Sequence, residues 1–117
     1  MLNAGKAIKV SIYLNEGSRH HSTASEASIL DYLLRSGVSG SSVFKGIAGF
    51  GADHHLHSAS LVELSDHLPV KIEFIETQEK VDQVMPRLIE LAGTGLIDAH
   101  ETIVLKPATS LKPPPPR

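Results

Sequence analysis

The stretch LPVKIEFIETQEKVDQVMPRLIELAG, residues 68–93, places a strand directly before a helix. Its first half alternates: apolar residues stand at every second position, namely Val70, Ile72 and Phe74, with Lys71, Glu73 and Ile75 between them. This period of two predicts a strand that buries one face and leaves the other open. Pro69 precedes the alternation, at a position where a missing backbone amide is tolerated.

From residue 77 the apolar spacing changes to that of a helix. The predicted buried face consists of Val81, Val84, Leu88 and Leu91, with Met85 beside them. Thr77 is the expected N-cap, and Gly93 is the expected stop. Pro86 lies inside the helix and has no amide to bond the carbonyl of Asp82, so we expect a kink there.

The N-terminal half repeats the same plan of strand and helix. AIKVSIYL, residues 7–14, alternates like the strand at 70–76. TASEASILDYLLRSG, residues 23–37, predicts a helix whose start has the capping-box spacing of Thr23 and Glu26. Gly37 follows the helix, where a left-handed residue is favoured. The predicted buried face of this helix consists of Ala27, Leu30 and Leu34, widened by Leu33.

Two further strands complete the predicted fold. SSVFKGIAGFG, residues 41–51, is a strand that runs into glycines, and ETIVLKP, residues 101–107, is a last strand. The resulting order is β-α-β-β-α-β. The economical packing of that order is an α+β, ferredoxin-like sandwich, with a four-stranded antiparallel sheet and two helices on one face. The other face of the sheet carries no helices, so we expect it to be covered by oligomerisation or used for binding.

The composition limits the classes of function. The chain has 117 residues, which predicts one domain, with a net charge of -2 and a pI of about 6.4. This charge argues against a nucleic-acid partner, because such domains usually have a pI above about 9. With no cysteine, thiolate zinc sites and cysteine nucleophiles are excluded. No apolar run is long enough for a membrane span, so we expect no membrane insertion and a cytoplasmic location.

The segment VFKGIAGFGADHHLH, residues 43–57, concentrates glycine and histidine. Its G-x-x-G-x-G order does not match a dinucleotide fingerprint, and no Gly-Lys-Ser/Thr follows, so neither the Rossmann nor the P-loop interpretation holds. We expect Gly49 and Gly51 to take backbone angles that are closed to other residues. His54, His55 and His57 are spaced closely enough to share a divalent ion, or they are solvated loop residues.

Four segments carry a resemblance to a known family: KVSIYLNEGSR (9–19), GVSGSSVFKGIAGFG (37–51), LSDHLPVKIEFIE (64–76) and AGTGLIDAHETIVL (92–105). Together they resemble the PII signal-transduction superfamily. The closer similarity is to its uncharacterised PII-like branch, the domain-of-unknown-function family number one-ninety. The resemblance covers a domain at residues 5–106. The proline-rich remainder, residues 107–117, predicts a disordered tail.

The resemblance implies a non-enzymatic homotrimer that binds an adenine nucleotide (AMP, ADP or ATP) between subunits. It also implies that the loop after the second strand signals to an unknown protein partner. The implied ligand-binding residues are Gly46, Gly49, Phe50 and Gly51 at the base of the loop, and Thr94 and Gly95 in the segment that resembles the PII B-loop. The B-loop lysine of PII proteins is replaced by Leu96. Lys45 and Arg19 are the candidate replacements, and we expect binding in the micromolar range or weaker.

Two other functions compete with this interpretation. Divalent-cation tolerance proteins are similar trimers, so a metal-binding trimer that uses the histidine-rich loop is the first alternative. A small ferredoxin-like enzyme is the second. The sequence disfavours it, because the carboxylates are scattered and no nucleophile elbow is present.

Overall fold

The computed structural model describes residues 2–14, 22–51, 56–58 and 68–109, with the side chains of 22–25 and 57–58 left aside. Eight elements follow one another in these ranges: β1 (Gly5–Leu14), α1 (Ser22–Arg35), β2 (Ser41–Lys45), β3 (Ala48–Gly49), β4 (His57–Ser58), β5 (Val70–Glu76), α2 (Gln78–Ala92) and β6 (Leu96–Val104). Neither helix is long and apolar enough, over the described ranges, to cross a membrane. The predicted proline-rich tail lies outside the described residues from residue 110 onward.

Four strands form one antiparallel sheet in the order β2–β5–β1–β6. The β1 strand lies in the middle, where Ile12 is the partner of Ile72 on β5 and of Ile97 on β6. This strand order, with one helix after β1 and one after β5, is the ferredoxin-like α+β fold that the sequence predicts. The short strands β3 and β4 form a separate ribbon within the β2–β5 connection.

The core lies between the helices and one face of the sheet. The alternating residues of β1 and β5 pack there, among them Val10, Ile12, Ile72 and Phe74. The α2 helix contributes most of its predicted face, Val81, Val84 and Leu88, whereas Leu91 is only partly buried and Ala92 takes the inner position. The N-cap prediction is confirmed, because the Thr77 hydroxyl accepts a hydrogen bond from the Lys80 amide at 3.1 Å. The helix continues through Pro86 to Ala92.

The predicted buried face of α1 is right for Leu33 and Leu30 and wrong for Ala27 and Leu34. Among the described side chains of this helix, those of Ile29 and Leu33 are fully buried, and Leu30 packs beside them. Ala27 is exposed, and Leu34 is 77% exposed. Residues 29–34 offer two possible apolar faces with residues four apart, Ile29 with Leu33 and Leu30 with Leu34. Contact with α2 and β1 selects the face that contains Ile29 and Leu33. Gly37 has the predicted left-handed conformation, with a φ of +81°.

The last strand is longer than predicted. It begins at Leu96, five residues before the predicted start at residue 101, and ends at Val104. Its residues pair with β1 over almost their whole length, from Leu96 opposite Tyr13 to Val104 opposite Gly5. The alternation is weak from Leu96 to His100, so the pairing with β1 accounts for the part of the strand that the local pattern does not show.

The face of the sheet that is turned away from the helices carries a mixed row of side chains at one end. Cross-strand pairing aligns Phe44, Lys71, Tyr13 and Leu96, which we call the outer row. Tyr13, Phe44 and Leu96 are each about half-exposed. A second row, with Glu73 and Ser11 at its centre, lies next to the outer row. The open face therefore has mainly apolar side chains in the outer row and polar and charged side chains in the row beside it.

Candidate functional site

A cavity of about 960 Å³ lies at the end of the sheet that carries the outer row. Its lining includes the exit of β2, the glycines that follow β2, and the turn from α2 into β6. A volume of this size is typical of small-molecule sites. The lining is largely apolar, with three charged side chains, those of Lys45, Lys71 and Asp98.

This cavity brings together seven of the eight residues that the sequence predicts for ligand binding. These are Lys45, Gly46, Gly49, Phe50, Gly51, Thr94 and Gly95. The two segments that contribute them are more than 40 residues apart in the chain. Arg19, the eighth, lies outside the described residues. The lining residues that the sequence analysis missed include Tyr13, Phe44, Pro69, Lys71 and Asp98.

The glycines at the base of the loop are needed for a different reason from the predicted one. Neither Gly49 nor Gly51 has a left-handed φ, so the expectation of unusual backbone angles is wrong. Gly46 and Gly49 instead pack closely against Pro69. A Cβ added at Gly46 would lie 3.0 Å from Pro69 Cγ, and one added at Gly49 would lie 3.1 Å from it, so neither position has room for a side chain without a shift of the proline ring. The Gly46 amide also donates to the Pro69 carbonyl at 2.8 Å. A Cβ at Gly51 would meet nothing within 4 Å.

Gly95 allows two backbone segments to come close at the opposite wall of the cavity. A Cβ at this position would lie 2.5 Å from the carbonyl oxygen of Tyr13 and 3.1 Å from that of Ala92. The Gly95 amide donates to the Ala92 carbonyl at 2.9 Å, which fixes the turn between α2 and β6. Glycine is therefore required by the fold here, and its absent side chain also leaves the backbone open to the cavity.

The charged groups of the open face form a connected cluster. Glu73 is its centre: Oε2 lies 3.4 Å from Lys71 Nζ and 3.7 Å from Lys9 Nζ. The Ser11 hydroxyl donates to the same oxygen at 3.5 Å. The Lys71 ammonium also lies 5.2 Å from the centre of the Phe44 ring, within range of a cation–π interaction. The alternation predicts that Lys71 faces away from the core, but it does not distinguish a cavity-lining lysine from a solvated one.

A buried carboxylate holds the start of β2 in place. Glu76 is 2% exposed, and its Oε2 accepts hydrogen bonds from the Ser39 amide and hydroxyl at 2.6 and 2.7 Å. Its Oε1 accepts the Thr77 amide at 3.1 Å. Burial alone would raise the pKa of Glu76, but the bonds from Ser39 and Thr77 outweigh it and hold this pKa below the ordinary value. An ionised Glu76 thus ties the α1–β2 connection to the start of α2.

The histidine-rich segment lies mostly outside the described residues. His54 and His55 are not described, and for His57 the structure gives only the backbone, which pairs with Gly49 in the β3–β4 ribbon. No cluster of three or more potential metal ligands occurs among the described residues. The histidine metal site stays a prediction.

Comparison with known proteins establishes the family. The DUF190 family model, described as Uncharacterized ACR, COG1993, matches residues 7–104. The chain belongs to the DUF190 family. Among curated relatives, the UPF0166 protein MJ1524 of Methanocaldococcus jannaschii is 35% identical over 105 residues, which cover 89% of this chain and 96% of that protein. A UPF0166 protein of Aquifex aeolicus is 40% identical over 62 residues, which cover 50% of this chain and 65% of that protein.

The fold of this DUF190 protein is also that of solved PII-like proteins. CPII, a nitrogen regulatory PII-like protein from Thiomonas intermedia K12, superposes with a TM-score of 0.61 at 20% sequence identity. The match covers 91% of this chain and 94% of CPII, and the CPII structure contains ADP, AMP and bicarbonate. At this identity the likeness establishes a shared PII-like, ferredoxin-like fold.

Proposed function

We propose that this DUF190 protein is a non-enzymatic, PII-like regulator that binds an adenine nucleotide in the cavity at the end of the sheet. The observation that carries the proposal is the convergence of the loop-base glycines and the Thr94–Gly95 turn on one cavity, in a chain with the PII-like fold. The resemblance of these segments to the PII ligand-binding segments was visible in the sequence. Their convergence on one cavity supports that resemblance.

The lining suits the two chemically different parts of a nucleotide. Tyr13, Phe44 and Phe50 offer aromatic surface on which a base can pack. Gly49 and Gly51 carry no side chain, so phosphate oxygens can approach the backbone amides. The charged residues of the described lining are two lysines, Lys45 and Lys71, and one carboxylate, Asp98, so at least one lysine is available to a phosphate. The small excess of positive over negative charge in the described lining supports binding in the micromolar range or weaker, rather than tight binding of a triphosphate.

A homotrimer fits the proposed role, because it would cover the half-exposed apolar residues of the outer row. In this arrangement, a neighbouring subunit closes the cavity from the open side. Gly51, which belongs to the connection between β2 and β5, is part of the described cavity lining. Occupancy could therefore be reported to a protein partner through that loop. The cytoplasmic location stays a prediction from the sequence.

Titration calorimetry of the full chain with AMP, ADP and ATP tests this function, with Zn²⁺, Cu²⁺ and Ni²⁺ titrated in parallel. We expect saturable binding of at least one adenine nucleotide with a dissociation constant in the micromolar range. Binding of a divalent metal, with no nucleotide bound below about millimolar concentration, would contradict the proposal. The histidine-rich loop would then become the leading site.

A further inference from the structure

We infer that Lys71, rather than Lys45, is the cation that contacts the nucleotide phosphates, and that Glu73 competes with those phosphates for it. This inference rests on the proposed function, because it assigns a role within the same cavity. Leu96 stands where PII proteins carry the B-loop lysine, so a different cation is needed to contact the phosphates. The two candidate cations that the described lining offers are Lys45 and Lys71.

The surroundings of the two lysines differ. Lys71 belongs to the outer row on the open face, and its side chain is 35% exposed. The Phe44 ring lies 5.2 Å from its ammonium, and this contact favours a position of the ammonium beside the aromatic lining of the cavity. Lys45 is exposed at the end of an edge strand, and its pairing with Val70 puts it on the helix-side face of the sheet. Among the described residues, no ion pair or hydrogen bond involves the Lys45 side chain.

The Glu73 cluster lets Lys71 change partners without leaving a carboxylate unpaired. Lys71 Nζ lies 3.4 Å from Glu73 Oε2. Lys9 and the Ser11 hydroxyl contact the same oxygen. When the Lys71 ammonium turns to a phosphate oxygen, Lys9 and Ser11 remain with Glu73. The Glu73 side chain is only 20% exposed, so its carboxylate would be poorly solvated and costly without a partner. The contacts with Lys9 and Ser11 avoid that cost.

The arrangement makes Glu73 an internal competitor. Each time Lys71 binds a phosphate, it gives up the nearby carboxylate, and that carboxylate also repels the phosphate. Removing the charge of Glu73 should therefore strengthen phosphate binding, whereas removing the charge of Lys71 should weaken it. Opposite effects at neighbouring residues are not expected if the cluster serves only to hold the sheet together.

The test measures the binding of ADP and of adenosine by titration calorimetry and ligand-observed NMR. The wild type is compared with four single variants and one double variant: Lys71→Gln, Lys71→Arg, Lys45→Gln, Glu73→Gln and Lys71→Gln/Glu73→Gln. We expect Lys71→Gln to weaken ADP binding about ten- to hundredfold, as for a lost hydrogen bond between charged groups. Adenosine binding should stay within about twofold, because adenosine has no phosphate. Lys71→Arg should keep most of the affinity for ADP, and Lys45→Gln should change it less than about threefold. Glu73→Gln should tighten ADP binding. In the double variant the same change should tighten binding less, because only the repulsion between Glu73 and the phosphate is relieved there.

Three outcomes would overturn the inference while the proposed function stands: an unchanged ADP affinity in Lys71→Gln, an equal loss for adenosine and ADP, or a weaker ADP complex in Glu73→Gln. A Lys45→Gln loss larger than that of Lys71→Gln would likewise assign the phosphate contact to Lys45. If the wild-type chain binds neither ADP nor adenosine, the proposed function and this inference fail together. Thermal unfolding of each variant checks that the comparison is made between folded proteins.

Discussion

Replacing Gly95 by alanine should destabilise the fold at the wall of the cavity. The added Cβ would lie 2.5 Å from the Tyr13 carbonyl oxygen and 3.1 Å from that of Ala92, and both are backbone atoms. Neither can retreat easily, because β1 pairs with β6 beside Tyr13 and the Gly95 amide is bonded to Ala92. Forcing an extra carbon into such a site costs roughly 1–3 kcal/mol.

Part of that cost is offset. Gly95 has no left-handed φ, so alanine suffers no backbone strain there and gains about 0.4–1 kcal/mol by restricting the unfolded chain. We therefore expect Gly95→Ala to lower the free energy of unfolding by roughly 1–2 kcal/mol in urea denaturation at one fixed protein concentration. Gly40→Ala is the matched control, because a Cβ there meets nothing within 4 Å. A Gly95→Ala variant as stable as Gly40→Ala would refute this account of the turn.

Three further predictions concern the buried carboxylate, the loop base and the assembly. Hydrogen bonds hold the pKa of Glu76 below its ordinary value of 4.5, so its stabilisation is complete at higher pH and is lost as the pH falls below about 4.5. Urea unfolding at pH 3–7 should show this loss in wild type and a flatter pH profile in Glu76→Gln. Identical profiles would argue against stabilisation by the hydrogen bonds from Ser39 and Thr77 to Glu76. Gly49→Val should weaken nucleotide binding at least tenfold in calorimetry, because its Cβ would press on Pro69 at 3.1 Å, whereas Gly51→Ala should weaken it less, because a Cβ there meets no protein atom within 4 Å. Light scattering should give three times the chain mass of 12.6 kDa, and a monomer at all micromolar concentrations would exclude the trimer.

The sequence predicts the main sheet and α2 well because their patterns are strong and local. The alternation from Val70 to Phe74 allows only one buried face, and the Thr77 cap marks the start of α2. The α1 helix shows where this reasoning fails. Ile29 and Leu33 form one face and Leu30 and Leu34 another, and only the packing against α2 and β1 decides between them.

The candidate site is predicted only in part for a similar reason. The resemblance to PII-like proteins points to the loop-base glycines and to Thr94 and Gly95, which do line one cavity. The reason for glycine at position 49, however, is Pro69, a residue that is distant in the sequence and adjacent in the fold. Lys71 has the appearance of an ordinary solvated strand residue until the pairing of β2, β5 and β1 places it between Phe44 and Tyr13 at the cavity.

The most direct test of the central claim is a crystal structure of this chain grown with ADP. The account predicts the nucleotide in the cavity between the loop base at Gly49–Gly51 and the Thr94–Gly95 turn, with a phosphate oxygen within hydrogen-bond distance of Lys71. A nucleotide bound elsewhere on the protein, or an empty cavity at saturating ADP, would contradict it.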